Sequence, residues 1–336
     1  MKKCLTTYII DNKNKIFFAF AVLLVPISFF IGMYVSSVHL SISEIFEAFS
    51  NVDSPNGRIV VYIRLPRVIA TLLAGSALAV SGVIVQSVLH NNIASPNIIG
   101  VNSGAGFGVV LTLAFSPLAS SVVLGFSAIL GALLAMLIIY SLAKLVGASK
   151  TTLVLGGIAI SAILSAGIDA ITITNTDILT YANVFKIGGF SGITYENIYL
   201  GAIAIPIIIL IVVLFAKELE ILNLGDEIAM SLGLKVGVFR FLFLFLASCL
   251  AGIAVSFSGL IGFVGLIIPH LVKYFTNGNM RLTLLGATIV GSSFLCICDA
   301  IARVILSPYE LPVGIILAFI GAPFFLFIMF RRKKNA

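Results

Sequence analysis

Side chains able to do chemistry are few in this chain, and they lie far apart. The soft ligands and nucleophiles are His39, His90 and His270, with Cys4, Cys249, Cys296 and Cys298. One histidine falls on the outer side of the hydropathy pattern and two on the inner side, so they form no single metal cluster. Cys296 and Cys298 are two apart, which sets them on nearly opposite helix faces. The four cysteines show neither disulfide nor zinc spacing and read as small buried residues. No nucleophile–base pair or paired-carboxylate motif occurs, which disfavours a membrane enzyme. No G-x-x-x-x-G-K-[ST] is present, so the chain has no phosphate-cradling loop of its own. The sequence therefore predicts no catalytic site, no cofactor and no metal.

Three charged groups sit inside apolar runs: Asp169, Asp299 and Arg303. In a carrier driven by an ion gradient such groups relay protons; otherwise they pair structurally. Asp299 and Arg303 are spaced i, i+4 on one helix face, which predicts a pair. A second polar concentration is "HNNIASPNIIGVNSGAG", residues 90–106. Asn91, Asn92, Asn97, Asn102 and Ser103 supply hydrogen-bonding side chains. Pro96 lacks an N–H, and Gly100 and Gly104 permit non-helical turns. Irregular backbone at membrane depth survives only where protein buries it or where it lines a wet cavity. Two readings follow: the lining of a path, with a helix interrupted near Pro96, or a cytosolic loop beside a close-packed glycine face.

The elements that position these residues are membrane spans. Of 336 residues, 60% are hydrophobic and 10% charged, more apolar surface than a soluble domain can hide. A span needs about 20 apolar residues. Ten candidates are 16–38, 68–89, 98–114, 118–143, 153–173, 198–216, 238–257, 260–273, 282–305 and 311–330. The eighth is short, and the third is rich in glycine and polar residues. The first is too long for a signal peptide, lacks a small-residue cleavage site and reads as a retained helix. With ten spans and a cytosolic N-terminus, the inner segments hold Lys2, Lys3, Lys13, Lys15, Lys144, Lys150, Lys217, Lys235, Arg240, Lys273, Arg281, Arg331, Arg332, Lys333 and Lys334. The outer side holds Arg58, Arg64, Arg67, Lys186 and Arg303, so the ratio is fifteen to five. The net charge of +7 thus follows the positive-inside rule and gives no reason to invoke nucleic acid. Both termini are expected in the cytosol. No linker divides the chain, which reads as one transmembrane domain, 1–336. "LLAGSALAVSG" (72–82) aligns with "CLAGIAVSFSG" (249–259) at six of eleven positions. One copy runs inward and the other outward, which predicts an inverted repeat of the kind found in transporters.

"RLPRVIATLLAGSALAVSGVIVQSVLHNNIASPNIIGVNSGAG" resembles the signature of one permease family, the FecCD-type membrane subunits of ABC importers for ferric siderophores, haem and cobalamin. "GDEIAMSLGL" (225–234), "GLIGFVGLIIPHLVKY" (259–274), "DAIAR" (299–303) and "ELPVGIILAFIGAPFF" (310–325) fit its pattern in order and spacing. The resemblance runs from about residue 16 to the end. It implies an all-α fold of about ten transmembrane helices, pairing with a second permease subunit around a central path. It also implies two cytosolic ATPase subunits below and an extracytoplasmic substrate-binding protein above, in the inner membrane of a bacterial cell. The ferric siderophore is the expected cargo, with haem or cobalamin as the alternative within the family and a gradient-driven carrier as the alternative outside it.

The resemblance assigns roles to residues. Asn91, Asn92, Pro96, Asn97, Gly100, Asn102, Ser103 and Gly104 are expected to line the path. Residues 222–240 are expected to rest on the ATPase through Gly225, Asp226, Glu227, Ala229, Met230, Leu232 and Gly233. Asp226 can cap a short helix there, Glu227 suits its first turn and Gly233 ends it. A short helix exposing Met and Leu wants a groove; lying on lipid headgroups is the plainer reading of it. Arg64, Arg67 and Arg303 are expected to meet acidic residues of the binding protein. One departure stands out: the family often has tryptophan in the outer loop after span five. This chain has none, and Phe185 and Tyr195 stand in those places in "FKIGGFSGITYEN" (185–197).

Overall fold

The computed structural model describes residues 2–36, 38–97, 99–145, 150–175 and 178–334. The side chains of 2–15, 150, 151, 328, 329 and 331–334 lie outside the described residues. With them go Cys4 and nine of the predicted inner charges: Lys2, Lys3, Lys13, Lys15, Lys150, Arg331, Arg332, Lys333 and Lys334. Ends of the bundle are called inner and outer after the charge count above.

Each predicted span corresponds to one apolar helix. These are α1 (Lys2–Tyr34), α4 (Leu65–Val88), α5 (Val101–Phe115), α6 (Ser121–Leu145), α7 (Lys150–Thr174), α9 (Tyr195–Leu214), α12 (Val236–Ser258), α13 (Val264–Thr276), α14 (Met280–Val304) and α15 (Val313–Lys334). Short helices lie between them: α2 (Ile42–Ser50), α3 (Pro55–Arg58), α8 (Leu179–Ile187), α10 (Ala216–Leu222) and α11 (Asp226–Ser231), with a π-helical turn at Ile59–Arg64 leading into α4. No strand occurs among the described residues. Seven of the apolar helices are long enough to cross a membrane, and the shorter apolar stretches are Val101–Phe115, Val264–Thr276 and Val313–Phe327. The half-length helices α5 and α13 take the third place in the first and second sets of five, as an internal repeat requires.

The bundle is built around α4, which is buried along nearly its whole length. Lipid supplies no hydrophobic drive between helices, so small residues that let backbones touch decide the packing. Gly75 meets the backbone of Gly291 on α14, and Gly82 meets that of Gly265 on α13. Gly104 and Gly131 bring α5 onto α6 in the same way. A Cβ at any of these positions would overlap a carbonyl oxygen.

Those contacts also fix depth. Gly104, near the start of α5, lies on Gly131, in the middle of α6. Gly82 lies on Gly265, near the start of α13, and its neighbour Ser81 donates to the Ala247 carbonyl (2.8 Å) in the middle of α12. Both half-length helices therefore begin inside the bundle.

A Gly82→Val substitution should destabilise the detergent-purified protein by the ~1–3 kcal/mol that overpacking costs and so lower its thermal midpoint. Gly125→Ala on α6, where only Ser256 Oγ comes near an added Cβ, should leave the midpoint where it is. Equal midpoints for Gly82→Val and wild type would refute the close approach.

Candidate translocation path and its docking faces

The two backbone breaks meet. Residues 89–100 connect α4 to α5, and residues 259–263 connect α12 to α13. Pro96 packs on Gly265, and Asn97 lies beside Gly262. The Asn102 amide N–H donates toward the Ile261 carbonyl (3.5 Å). A small cavity between the breaks is lined by Ser95, Pro96, Asn97, Asn102, Ile261 and Phe263, among others. Left-handed backbone makes the sharp turns: Gly100 at φ 71° starts α5, and Phe263 at φ 66° starts α13. For phenylalanine that conformation is strained.

Polar side chains close the inner side of this crossing. Lys273 on α13 donates to Gln86 Oε1 (3.1 Å) and toward Asn92 Oδ1 (3.5 Å). The Gln86 amide donates to the Gly265 carbonyl (3.3 Å). Asn91 Oδ1 accepts the Ile93 N–H (3.0 Å), an Asx turn. His90 donates through Nε2 to the Leu222 carbonyl at the end of α10 (2.6 Å). The sequence pattern carries no sign of this tie, which spans 132 residues.

The predicted interruption at Pro96 is corrected in extent. The chain leaves helix after Val88 and re-enters it at Val101. Of the eight predicted path residues, Asn92 and Asn97 are exposed, and Asn91 and Ser103 are half-buried. Pro96, Gly100, Asn102 and Gly104 are buried. Pro96 and Asn102 pack the two breaks together, while Gly100 lies against Ile139 and Gly104 against Gly131, both of α6.

At the outer end lies a buried charge network. Arg67 donates to Asp299 through Nε (3.0 Å to Oδ2) and Nη2 (3.0 Å to Oδ1), and its Nη1 donates to Glu310 (2.6 Å). Arg303 donates through Nε to Asp299 Oδ2 (2.9 Å), the pair its i, i+4 spacing predicted. Arg303 also donates to the carbonyls of Gly32 (2.8 Å) and Val35 (3.1 Å). Arg64 takes those of Met33 (2.7 Å) and Val38 (2.6 Å). Two guanidinium groups thus cap the C-terminal end of α1, where carbonyls lack helical partners and the dipole favours cations. The resemblance implies that these arginines meet acidic residues of a binding protein; here Arg64, Arg67 and Arg303 are only 2%, 7% and 1% exposed. Asp299 and the α1 carbonyls hold them inside. The other intramembrane carboxylate, Asp169, pairs with Lys186.

The inner end presents α10 and α11. Asp226 does not cap α11; Gly225 is the N-cap, and Asp226 pairs with Arg240 of α12 (2.5 Å). Gly233 ends the helix as predicted, at φ 82°. Its N–H reaches the Met230 carbonyl, and Leu234 reaches that of Ala229, a Schellman closure. Ala229 is buried, while Leu224, Ile228, Met230 and Leu232 stand exposed beside Glu227. In the outer loop, Phe185 is buried and Tyr195 donates to the Val61 carbonyl (2.7 Å).

Half-length helices meeting inside an all-helical apolar bundle define a multi-pass membrane transport subunit. The FecCD transport family model matches residues 23–331, and the chain belongs to that family. It is 32% identical over 316 residues to the Fe(3+)-citrate import system permease protein YfmE of Bacillus subtilis, covering 94% of this chain and 95% of that one. Over 278 residues it is 34% identical to the hemin transport system permease protein HmuU of Yersinia pestis (81% and 83% covered). Over 284 residues it is 34% identical to the vitamin B12 import system permease protein BtuC of Escherichia coli O127:H6 (84% and 86%). A solved structure described as an inward-facing metal-chelate type ABC transporter superposes with a TM-score of 0.83 at 29% identity, covering 94% of this chain and 99% of that one.

Two outcomes follow. In a cysteine-free background, Asn97→Cys should react with small hydrophilic thiol reagents, whereas Asn102→Cys, at a position 4% exposed, should stay inert. The reverse order would contradict the packing described above. Asp299→Ala strands Arg67 and Arg303 in the interior, and breaking a buried pair costs about 3–5 kcal/mol. A thermal midpoint within error of wild type would show that the network does not brace the outer end.

Proposed function

We propose that this chain is the permease subunit of an ATP-driven importer that takes a ferric siderophore, or a related iron chelate, from a binding protein and delivers it to the cytosol. The observation that carries this reading is the family match across residues 23–331. The relative named for Fe(3+)-citrate import, matched nearly end to end, favours iron. A second reading, haem or cobalamin as cargo, rests on the hemin and vitamin B12 permeases, each 34% identical. The pairing of Asp169 with Lys186, and of Asp299 with Arg67 and Arg303, supports ATP over an ion gradient as the energy source. Paired charges are poor proton relays.

The whole chain, 1–336, works as one transmembrane unit in the bacterial inner membrane with both termini in the cytosol. It pairs with a second permease subunit, identical or paralogous. ATP hydrolysis belongs to two cytosolic ATPase subunits seated on 222–240. The exposed row of Leu224, Ile228, Met230 and Leu232 supports that seat, since apolar side chains at a water-facing end need a groove. Closure of the ATPases pushes α10 and α11. The His90–Leu222 hydrogen bond carries the push to residues 89–100, which line the inner part of the path. At the outer end, Arg64, Arg67 and Arg303 serve binding-protein docking by holding the surface in shape, with Glu310 part-exposed at its edge.

Proteoliposomes holding the chain with its ATPase and binding protein should accumulate labelled ferric chelates when ATP is present on the cytosolic side. Uptake of haem or cobalamin alone would move the assignment to the second reading. Gradient-driven uptake without the ATPase would end it. Replacing Met230 and Leu232 together with Asp puts unpaired charge into the proposed seat. The ATPase should then fail to co-purify while the membrane domain still inserts. Normal co-purification and normal transport by the double variant would remove α11 from the coupling role.

A further inference from the structure

The segment joining α1 to α4 carries a helix whose apolar arc is wider than the protein covers. α2 opens with a capping box: the Ser41 N–H donates to the Glu44 carboxylate (2.7 Å), and Ser41 Oγ accepts the Glu44 N–H (3.3 Å). Ala48 is buried, and Ile45 packs beside it on Met33, Leu40, Val60 and Val68. The adjoining stripe is Ile42, Phe46 and Phe49, recurring at i, i+4 and i+7, and nothing described covers it: they are 64%, 63% and 47% exposed. Ser43, Glu44 and Glu47 take the opposite side.

The stripe is not isolated. Ile27, Phe30, Tyr34 and Val38 lead to it along α1 and just beyond, all exposed. Tyr62 and Ile63 flank it from the π-helical turn. α1 is long and apolar enough to cross a membrane, so its exposed side faces lipid, and the α2 stripe continues that wall. A helix with one apolar and one acidic side, set where a span ends, fits the plane of the headgroups. No Lys or Arg occurs between residues 35 and 57, so attraction to anionic lipid plays no part. The Ser41 N–H and hydroxyl hold the Glu44 carboxyl below its usual range. The Glu44 carboxylate stays ionised and in water.

We propose that α2 is an interfacial anchor lying in the outer leaflet, with Ile42, Phe46 and Phe49 at the boundary between headgroups and acyl chains. Its depth is passed to α4, because Arg64 at the head of α4 bonds the Met33 and Val38 carbonyls on either side of the α1 end. The inference holds whichever chelate is carried.

The chain has no tryptophan, so Phe46→Trp introduces a single indole without background. In the full-length chain reconstituted into phosphatidylcholine bilayers, that indole should emit in the blue. It should lose about half its intensity when the acyl chains are brominated close to the headgroup, as interfacial depth requires. Aqueous iodide should barely touch it. Glu47→Trp should behave oppositely, quenched by iodide and not by lipid. Ile42→Trp repeats the measurement should Phe46→Trp fail to assemble. Water-like emission of both stripe variants, quenched by iodide alone, overturns the proposal. Shielding that appears only when the binding protein is added also overturns it, and makes the stripe a protein-docking ridge.

Discussion

A chain inside hydrocarbon cannot leave an amide or a carbonyl unpaired. Most of this structure meets that constraint with unbroken helices. Among the described residues the chain leaves helix inside the bundle in two places, 89–100 and 259–263, and the rest of the bundle is arranged to permit them. The breaks are set against each other, so each supplies part of the other's wall. Side-chain amides substitute for the missing helical partners: Gln86 for Gly265, Asn91 for Ile93 and Asn102 for Ile261. The glycine contacts of Gly75, Gly82 and Gly104 bring the surrounding helices close enough to exclude lipid.

The two ends of the bundle are held by interactions of different strength. The outer end has Arg67, Arg303 and Asp299 buried together, with Arg64 and Arg303 on the α1 carbonyls. Removing one partner of such a group costs about 3–5 kcal/mol. At the inner end, Lys273 meets the neutral oxygens of Gln86 and Asn92, and His90 meets the Leu222 carbonyl. Hydrogen bonds of that kind contribute about 0.5–1.5 kcal/mol each, or up to ~3 when charged, and water can replace them at the surface. The Asp226–Arg240 pair ties α11 to α12 at the same end, so the weaker contacts there are those of α13 and of the segment after α4.

Much of this was legible in the sequence. Ten apolar runs became ten apolar helices, and the two weakest, the third and eighth, are the two half-length helices that begin inside the bundle. Their weakness was the signal of the breaks: a span that need not cross can be short. The Asp299–Arg303 pair was readable from its spacing, as was the close of α11 at Gly233. What the sequence hid was contact across long separations. Arg67 reaches Asp299 over 232 residues and Glu310 over 243, and no local pattern records either. Arg67 consequently read as a charge on the outer side. Asp226 misled in the same way: locally it is a good cap, but Arg240 fourteen residues on is a stronger partner than an N–H.

Phe263 shows how far the constraint reaches. A phenylalanine at φ 66° is held only if its surroundings over-determine it. Here they do: the ring lies against Gly321 of α15, where any Cβ would collide with it. The strained residue opens α13, and α13 carries Lys273 at its other end, in contact with Gln86 and Asn92. A helix of thirteen residues thus joins a strained turn inside the bundle to the polar contacts that Lys273 makes with Gln86 and Asn92 at the inner end.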